Sequence, residues 1–121
     1  MTLPLLSAPV GVREADLRDA AEVARLNAFV HDQGGTPFHL PAWSIAVERG
    51  CRQCARYLVA ERANGAVVGV LPLTEMRSAL FGRALVSTGF GVGGGVLGAA
   101  IEPLAAGAWD LARRLGCPSV E

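Results

Sequence analysis

The chain has 121 residues, 51% of them hydrophobic, and its 11 basic and 11 acidic side chains balance. This length and composition indicate one small domain with a packed core and exclude a disordered chain. The balanced charge gives no sign of a surface for DNA or an anionic membrane. All 11 basic residues are arginines, which excludes a catalytic or phosphate-binding lysine within this sequence.

The first third of the chain predicts a strand followed by two helices. Residues 9–14 are β-like, and Asp16 after them has the side chain of a helix N-cap. This helix should extend to about Val30 and pack on a sheet through a face of small residues. The residues of that face are Leu17, Ala20, Ala21, Ala24 and Ala28. Pro41 favours the start of a second, shorter helix, which Gly50 should end.

The middle of the chain predicts a β-hairpin. Residues 56–62 and 66–76 are rich in β-branched and apolar side chains, and Asn64-Gly65 lies between them. Asn-Gly between two such runs is typical of a tight hairpin turn in which both residues have positive φ. Pro72 lacks the N–H that a sheet ladder needs, which suggests a bulge or a sheet edge at that position.

The last third predicts a strand, a helix and a second strand. Residues 83–88 form a short apolar run, and a helix should begin near Pro103 and end at Gly116. Residues 119–121 begin another extended segment. The order is therefore β-α-α-β-β-β-α-(β), which predicts a mixed α/β sheet that is antiparallel first and parallel between its last two strands.

One uncharged segment has to be compared with a membrane span. Residues 84–101 carry no charge and are long enough to cross a bilayer. They contain many glycines and few large apolar side chains, which favours a glycine-rich strand and turn instead. The first ten residues lack the basic start of a secretory signal. We therefore expect no membrane span and a cytoplasmic protein.

The best candidate for a binding site is a glycine run after the 83–88 strand. Its residues are Phe90, Gly91, Val92, Gly93, Gly94 and Gly95. Glycine allows positive φ and close approach, so the run is either a substrate cradle or a close crossing of two backbones. Open α/β sheets bind ligands at the carboxyl ends of parallel strands, where this run lies. We therefore predict that these residues bind substrate.

Other candidate residues lie around the second helix. Phe38 and Trp43 are predicted substrate-binding residues, although they could instead anchor the helix to the core. His39 is either a general base or a loop and capping residue. Cys51 and Cys54 have the spacing of a metal or redox pair, but the chain lacks a second such pair, so we predict ordinary cysteines and no metal site. No catalytic residue is identified.

Four segments together resemble a known family. They are TPFHLPAW at 36–43, GVLPLT at 69–74, FGRALVS at 81–87 and GFGVGGG at 89–95. From about Val10 onward the chain resembles the FemAB-like branch of the GNAT N-acyltransferase fold, including members associated with PEP-CTERM and exosortase loci. The resemblance implies amide-forming transfer of an acyl or aminoacyl group onto an amine of a peptidoglycan-related or exopolysaccharide-related acceptor.

The resemblance also implies a donor and a larger protein. The donor would be aminoacyl-tRNA or acyl-CoA, with no covalently bound cofactor. The glycine run lacks the basic residue that usually precedes a coenzyme A loop. Members of this branch carry two GNAT-like units, so residues 1–121 would be a partial N-terminal domain that is inactive alone. A missing C-terminal half or a second chain, as in a homodimer, would complete the cleft. The alternatives are an acyl-CoA-dependent GNAT N-acetyltransferase, a non-catalytic binding or assembly module, and a truncated gene product.

Overall fold

A computed structural model describes residues 10–80, 82–87 and 95–121. The strands are β1 (Val10–Glu14), β2 (Cys54–Arg62), β3 (Val67–Ser78), β4 (Gly82–Ser87) and β5 (Leu97–Gly98). The helices are α1 (Ala20–Asp32), α2 (Pro41–Cys51) and α3 (Ile101–Leu115), and a 3-10 helix at Pro37–His39 precedes α2. The predicted order is present, with β5 as an additional short strand.

The sheet is antiparallel in the order β1-β2-β3-β4, and its last pairing is parallel. Val120 forms a parallel bridge with Leu85. The Leu85 N–H donates to the Ser119 carbonyl at 3.0 Å, and the Glu121 N–H donates to the Leu85 carbonyl at 2.7 Å. The predicted mixed sheet, with a parallel pair across the crossing helix, is confirmed.

Helices cover both faces of the sheet. On the α3 face, Leu104 and Leu111 of the helix pack against strand residues such as Leu73 and Leu85. On the opposite face, called here the α1–α2 face, Leu26 and Val30 pack against the remaining strand side chains. Those strand residues are Tyr57, Val59 and Val70. The two apolar clusters use alternate residues of β2 and β3, as a sheet buried on both sides requires. None of the helices among the described residues combines the length and hydropathy needed to cross a membrane.

The start and the packing face of α1 differ from the prediction. Asp19 is the N-cap, because its Oδ1 accepts the Ala21 N–H at 3.0 Å, whereas Asp16 accepts the Arg18 N–H in the preceding turn. The alanine face is exposed. The buried residues of α1 are Glu22, Leu26 and Val30. Leu and Val remove more apolar area from water than Ala does, so the helix places them against the sheet.

The hairpin is confirmed, but its turn differs from the predicted one. The Gly65 N–H donates to the Arg62 carbonyl at 2.8 Å, so the turn is centred on Ala63 and Asn64. Gly65 has a φ of +87°, and Asn64 does not have a positive φ. This is a type I turn followed by a left-handed glycine, a common three-residue hairpin connection.

Helix α3 ends at the predicted residue and packs on the sheet through one apolar face. Leu104, Ala108 and Leu111 are buried, and Gly116 ends the helix with a φ of +74°. The helix begins at Ile101, slightly before the predicted position, and Ala100 precedes it with a φ of +67°. This left-handed residue turns the chain from β5 directly into the helix.

Candidate functional site

Among the described residues, the strand pairing along one side of β3 has a break between β4 and β5. Ser87, the last residue of β4, pairs with Leu73, and Leu97 of β5 pairs with Val70. Ser87 and Leu97 are ten positions apart in the chain, whereas their β3 partners Leu73 and Val70 are three positions apart. Continuous pairing would need three residues, so seven residues are additional. An ordinary β-bulge inserts one residue. No residue within the described ranges pairs with Leu71 or Pro72 on this side. We call this break in the pairing of the described residues, bordered by Ser87, Leu97 and Pro72, the strand gap.

Pro72 is suited to the strand gap by its backbone chemistry. The Tyr57 carbonyl accepts the Ala15 N–H at 2.7 Å, so the backbone groups of Tyr57 face β1. Tyr57 is the β2 partner of Pro72, and this pair is therefore not hydrogen-bonded. The backbone of Pro72 consequently faces the strand gap, where proline leaves no N–H unpaired. Of the predicted bulge or edge at Pro72, the described residues show a local edge within a central strand.

Two glycines allow the chain to return to β3 beyond the strand gap. A methyl group at Gly69 would lie 2.3 Å from the Ala99 carbonyl oxygen. Gly98 has a φ of +91°, and a methyl group there would lie 2.7 Å from the Val68 carbonyl oxygen. These contacts place β5 close to β3, and the Ala99 N–H bonds the Val68 carbonyl at 2.8 Å. Because β5 intervenes, the glycine run does not open α3 directly.

His39 lies over the strand gap on the α1–α2 face. The Tyr57 hydroxyl donates to the His39 carbonyl at 2.6 Å, which holds the 3-10 helix above the Tyr57–Pro72 pair. A methyl group at Gly35 would lie 2.6 Å from Leu97 Cδ2 and 3.4 Å from His39 Nδ1, so the loop packs tightly on β5. The imidazole is therefore buried at the border of the strand gap, with 5% of its surface exposed.

Thr36 fixes the orientation of the His39 ring. His39 Nδ1 lies 3.0 Å from both the Thr36 backbone nitrogen and the Thr36 hydroxyl oxygen. Together they form a capping box at the start of the 3-10 helix. Burial lowers the pKa of the imidazole, and the nearby backbone of Gly95 partly opposes this effect. His39 should therefore be neutral near pH 7.

Two buried polar atoms at the strand gap lack hydrogen-bond partners among the residues that the structure describes. They are His39 Nε2 and Ser87 Oγ. Ser87 pairs with Leu73, whose side chain packs under α3, so its hydroxyl lies on the α3 face. His39 lies on the other face. A buried polar atom without a partner costs free energy, which a bound ligand can recover.

The lowered pKa of His39 predicts a pH-dependent stability. An unfolded histidine titrates near pH 6.5, above the pKa of His39 in the folded protein. As the pH falls below about 7, the unfolded state binds more protons, so the free energy of unfolding should decrease until the folded pKa is passed. Urea unfolding between about pH 5 and 7.5 measures this slope. His39→Gln should remove it, and the exposed control His31→Gln should not. An equal slope in His39→Gln would contradict the prediction.

The predicted substrate-binding residues are only partly described. Phe90, Gly91, Val92, Gly93 and Gly94 lie outside the described residues. Gly95 borders the strand gap beside His39, with a φ of +107°. Phe38 and Trp43 are half-buried on the same side, with ring centroids 4.8 Å apart in an edge contact. Phe38 directly precedes His39 in the chain, and the binding role of Phe38 and Trp43 stays a prediction.

Two residues beside the strand gap, Ser87 and Pro72, were not predicted to belong to a site. Ser87 and Pro72 come together only through the register of β3 with its neighbours. Of the two roles considered for His39, the structure shows the capping role, in a capping box with Thr36.

Two further clefts lie at the other end of the sheet. One has a volume of about 380 Å³ and is bordered by charged residues that include Glu14, Arg18, Glu48 and Arg56; we call it the polar cleft. The other, of about 350 Å³, lies beside the start of β4. The described part of the chain has no group of three metal-binding side chains, and its cysteines are free.

The fold is found in known acetyltransferases. No protein-family profile matches the sequence, and no curated protein matches it significantly. A GNAT family acetyltransferase from Staphylococcus aureus is similar in structure, with a TM-score of 0.61 and 11% identity over 92% of this chain and 83% of that one. An acetyltransferase from Trypanosoma brucei has a TM-score of 0.58 and 16% identity over 93% of this chain and 81% of that one. The chain therefore has the GNAT fold.

Proposed function

We propose that this chain is an N-acyltransferase, or the N-terminal part of one, whose acyl group lies in the strand gap. The observation that carries this proposal is the seven-residue interruption between β4 and β5. Two buried polar atoms, Ser87 Oγ at the end of β4 and His39 Nε2, have no hydrogen-bond partner among the described residues. The fold shared with acetyltransferases supports the same reaction class.

The proposed reaction forms an amide. The amine nitrogen of the acceptor attacks the carbonyl carbon of the donor, and a C–N bond forms. The bond from that carbon to the leaving sulfur or oxygen breaks, and the proton lost by the amine is taken up by the leaving group. Negative charge develops on the carbonyl oxygen during this step, so the site needs hydrogen-bond donors around it. Backbone N–H groups of the 90–95 run are our candidates for some of these donors.

Two donors are consistent with this proposal. The FemAB-like segments favour an aminoacyl group carried by tRNA and an acceptor amine of a cell-wall or exopolysaccharide precursor. The similar structures are named acetyltransferases, which favours acetyl-CoA as the alternative donor. The resemblance further suggests that a C-terminal half, or a second copy of the chain, completes the acceptor side. A non-catalytic module would bind acceptor but neither donor.

Equilibrium binding tests the proposal and separates the donors. We expect one donor, aminoacyl-tRNA or acetyl-CoA, to bind more tightly than its deacylated form, because the acyl group itself occupies the strand gap. Ser87→Ala should weaken this preference several-fold, since a neutral hydrogen bond is worth about 1 kcal/mol. Ser78→Ala is the matched control, because Ser78 is the last residue of β3 and lies away from the strand gap. Equal binding of the charged and deacylated forms of both donors would refute the proposal.

A further inference from the structure

We propose that the outer end of the β3–β4 hairpin docks on an anionic lipid membrane, with Leu80 entering the lipid and arginines facing the headgroups. This inference goes beyond the proposed function and does not depend on it. The part of the hairpin concerned, called here the hairpin end, consists of the described residues 77–80, 82 and 83. It lies at the opposite end of β4 from Ser87.

Leu80 is the most exposed large apolar side chain among the described residues, with 86% of its surface in water. Ser78 and Gly82 are register partners, so Leu80 lies in the turn between the two strands. The Leu80 N–H donates to the Ser78 hydroxyl at 3.2 Å, which fixes the backbone of the leucine. A single exposed leucine is common on protein surfaces, so its role depends on what surrounds it.

The apolar surface continues from Leu80 toward the sheet. Met76 and Ala84 are register partners next to the hairpin end, and both are only half-buried. Together with Val86 and Pro118 they line the cleft of about 350 Å³ beside the start of β4. The apolar surface at this end of the sheet is therefore larger than one leucine, and lipid would remove it from water.

Four arginines lie at the same end of the molecule. Arg77 and Arg83 are register partners, directly opposite each other on the two strands. Like charges in this position destabilise a hairpin, so the pair has a cost in stability. Arg83 Nη1 donates to the Leu115 carbonyl at 3.1 Å, which brings the last turn of α3 to the hairpin end. That turn carries Arg113 and Arg114, and all four arginines are exposed.

The acidic side chains nearby leave positive charge in excess. Glu75 is fully buried and binds two arginines, and Asp110 binds an arginine of its own helix. Glu121 borders the cleft, but its backbone pairs with the other end of β4. Arg83 and Arg114 have no acidic partner within the part of the chain that the structure describes.

The combination of charge and apolar surface fits an anionic membrane. Although the whole chain is balanced, residues 76–101 contain two arginines and no acidic side chain. At a membrane the leucine enters the hydrocarbon, while the arginines stay with the phosphate headgroups. An apolar anchor and a basic patch together give reversible binding, whereas either alone is weak. A nucleic acid would leave Leu80 in water, and a two-fold dimer through this end would bring the same arginines together.

Flotation of the whole chain with lipid vesicles tests the proposal. At about 0.01 M salt we expect the chain to bind vesicles that contain phosphatidylglycerol, and to bind several-fold less to vesicles of phosphatidylcholine alone. Raising the salt to about 0.15 M should weaken the binding, since it screens exposed charges. Equal binding to both kinds of vesicle, or binding to neither, would overturn the proposal.

Two variants with matched controls assign the binding to the hairpin end. Leu80→Ser should lower binding to phosphatidylglycerol vesicles about tenfold. Ile101→Ser, which changes an exposed aliphatic residue at the start of α3, should leave it unchanged. Arg83→Gln should lower the binding about fivefold, and Arg62→Gln, at the end of β2 beside the other hairpin, should not. All four positions are exposed, so each variant should fold, which urea unfolding checks.

The variants also separate a membrane from other partners. Wild-type binding by Leu80→Ser would overturn the proposal. If light scattering without lipid shows a dimer that Leu80→Ser abolishes, the surface joins two copies of the chain, and the proposal is wrong. Complete release from the vesicles by free glycerol phosphate would show a site for a soluble phosphate, which would also overturn it.

Discussion

Replacing Gly98 by alanine should lower the free energy of unfolding by about 2–4 kcal/mol. Gly98 has a φ of +91°, a conformation that strains any residue with a Cβ atom. Its new methyl group would also meet Phe29 Cζ and the Val68 carbonyl oxygen, each at 2.7 Å. The carbonyl belongs to β3 and cannot move without breaking the bond that holds Ala99. Both costs arise at the place where the chain returns from the strand gap.

Urea unfolding of Gly98→Ala and a matched glycine variant measures this cost. Gly50 is a suitable control because it lies in α2 and nothing surrounds its Cβ position within 4 Å. Gly50→Ala should stabilise the protein slightly, by about 0.5 kcal/mol, since alanine favours a helix over glycine. A Gly98→Ala protein as stable as the wild type would show that β5 does not pack on β3 as described.

Glu75→Ala should have the second large effect, a loss of about 3 kcal/mol. The Glu75 side chain is fully buried in β3 and accepts hydrogen bonds from two arginines. Arg56 Nη2 lies 3.3 Å from one carboxylate oxygen, and Arg77 Nε and Nη2 lie 3.1 and 3.0 Å from the other. Removing the carboxylate leaves the two arginines without their counter-charge beside the core. The cavity left by the side chain accounts for part of the lost free energy of unfolding.

An exposed ion pair provides the control for Glu75. Asp110 binds Arg113 at 2.6 Å on the outer side of α3, and both side chains are mostly exposed. Asp110→Ala should change the free energy of unfolding by less than about 0.5 kcal/mol, because water screens such pairs. Thermal and urea unfolding of both variants gives the comparison. A similar decrease in the free energy of unfolding in the two variants would contradict the prediction that burial makes the Glu75 ion pairs important for stability.

Local chemistry made much of the fold predictable. Pro41, Asn64-Gly65 and Gly116 each restrict their own backbone or that of their neighbours, so two helix ends and the hairpin could be located from the sequence. The apolar face of α3 follows from helical spacing alone. These features depend on residues a few positions apart, which the sequence shows directly.

The errors arose where a distant partner decides the outcome. The alanine face of α1 was predicted to be buried, but the helix packs through Leu26 and Val30, on the side where Glu22 binds Arg13 of β1. The strand gap is also a long-range feature, since it depends on the register of β4 and β5 with β3. Composition indicated a glycine-rich region but could not show that the chain returns to the same strand.

The site was predictable only in outline for the same reason. Gly95, Phe38 and Trp43 were chosen by residue type; the Gly95 backbone interacts with His39, and the Phe38 ring contacts Trp43. The Thr36 N–H donates to His39 Nδ1, while His39 Nε2 and Ser87 Oγ have no hydrogen-bond partner among the described residues. These features depend on how the loop before α2 packs on the sheet, which the sequence does not show.

A map of backbone amide shifts on donor binding tests the central claim most directly. The ¹⁵N-labelled chain would be titrated with acetyl-CoA and, separately, with aminoacyl-tRNA. The amide shifts with the acylated donor are compared with those with the deacylated donor. If the acyl group lies in the strand gap, we expect the largest differences at Ser87, Gly95, Leu97 and His39. Changes concentrated at the polar cleft, around Glu14, Glu48 and Arg56, would contradict the assignment of the strand gap as the acyl site.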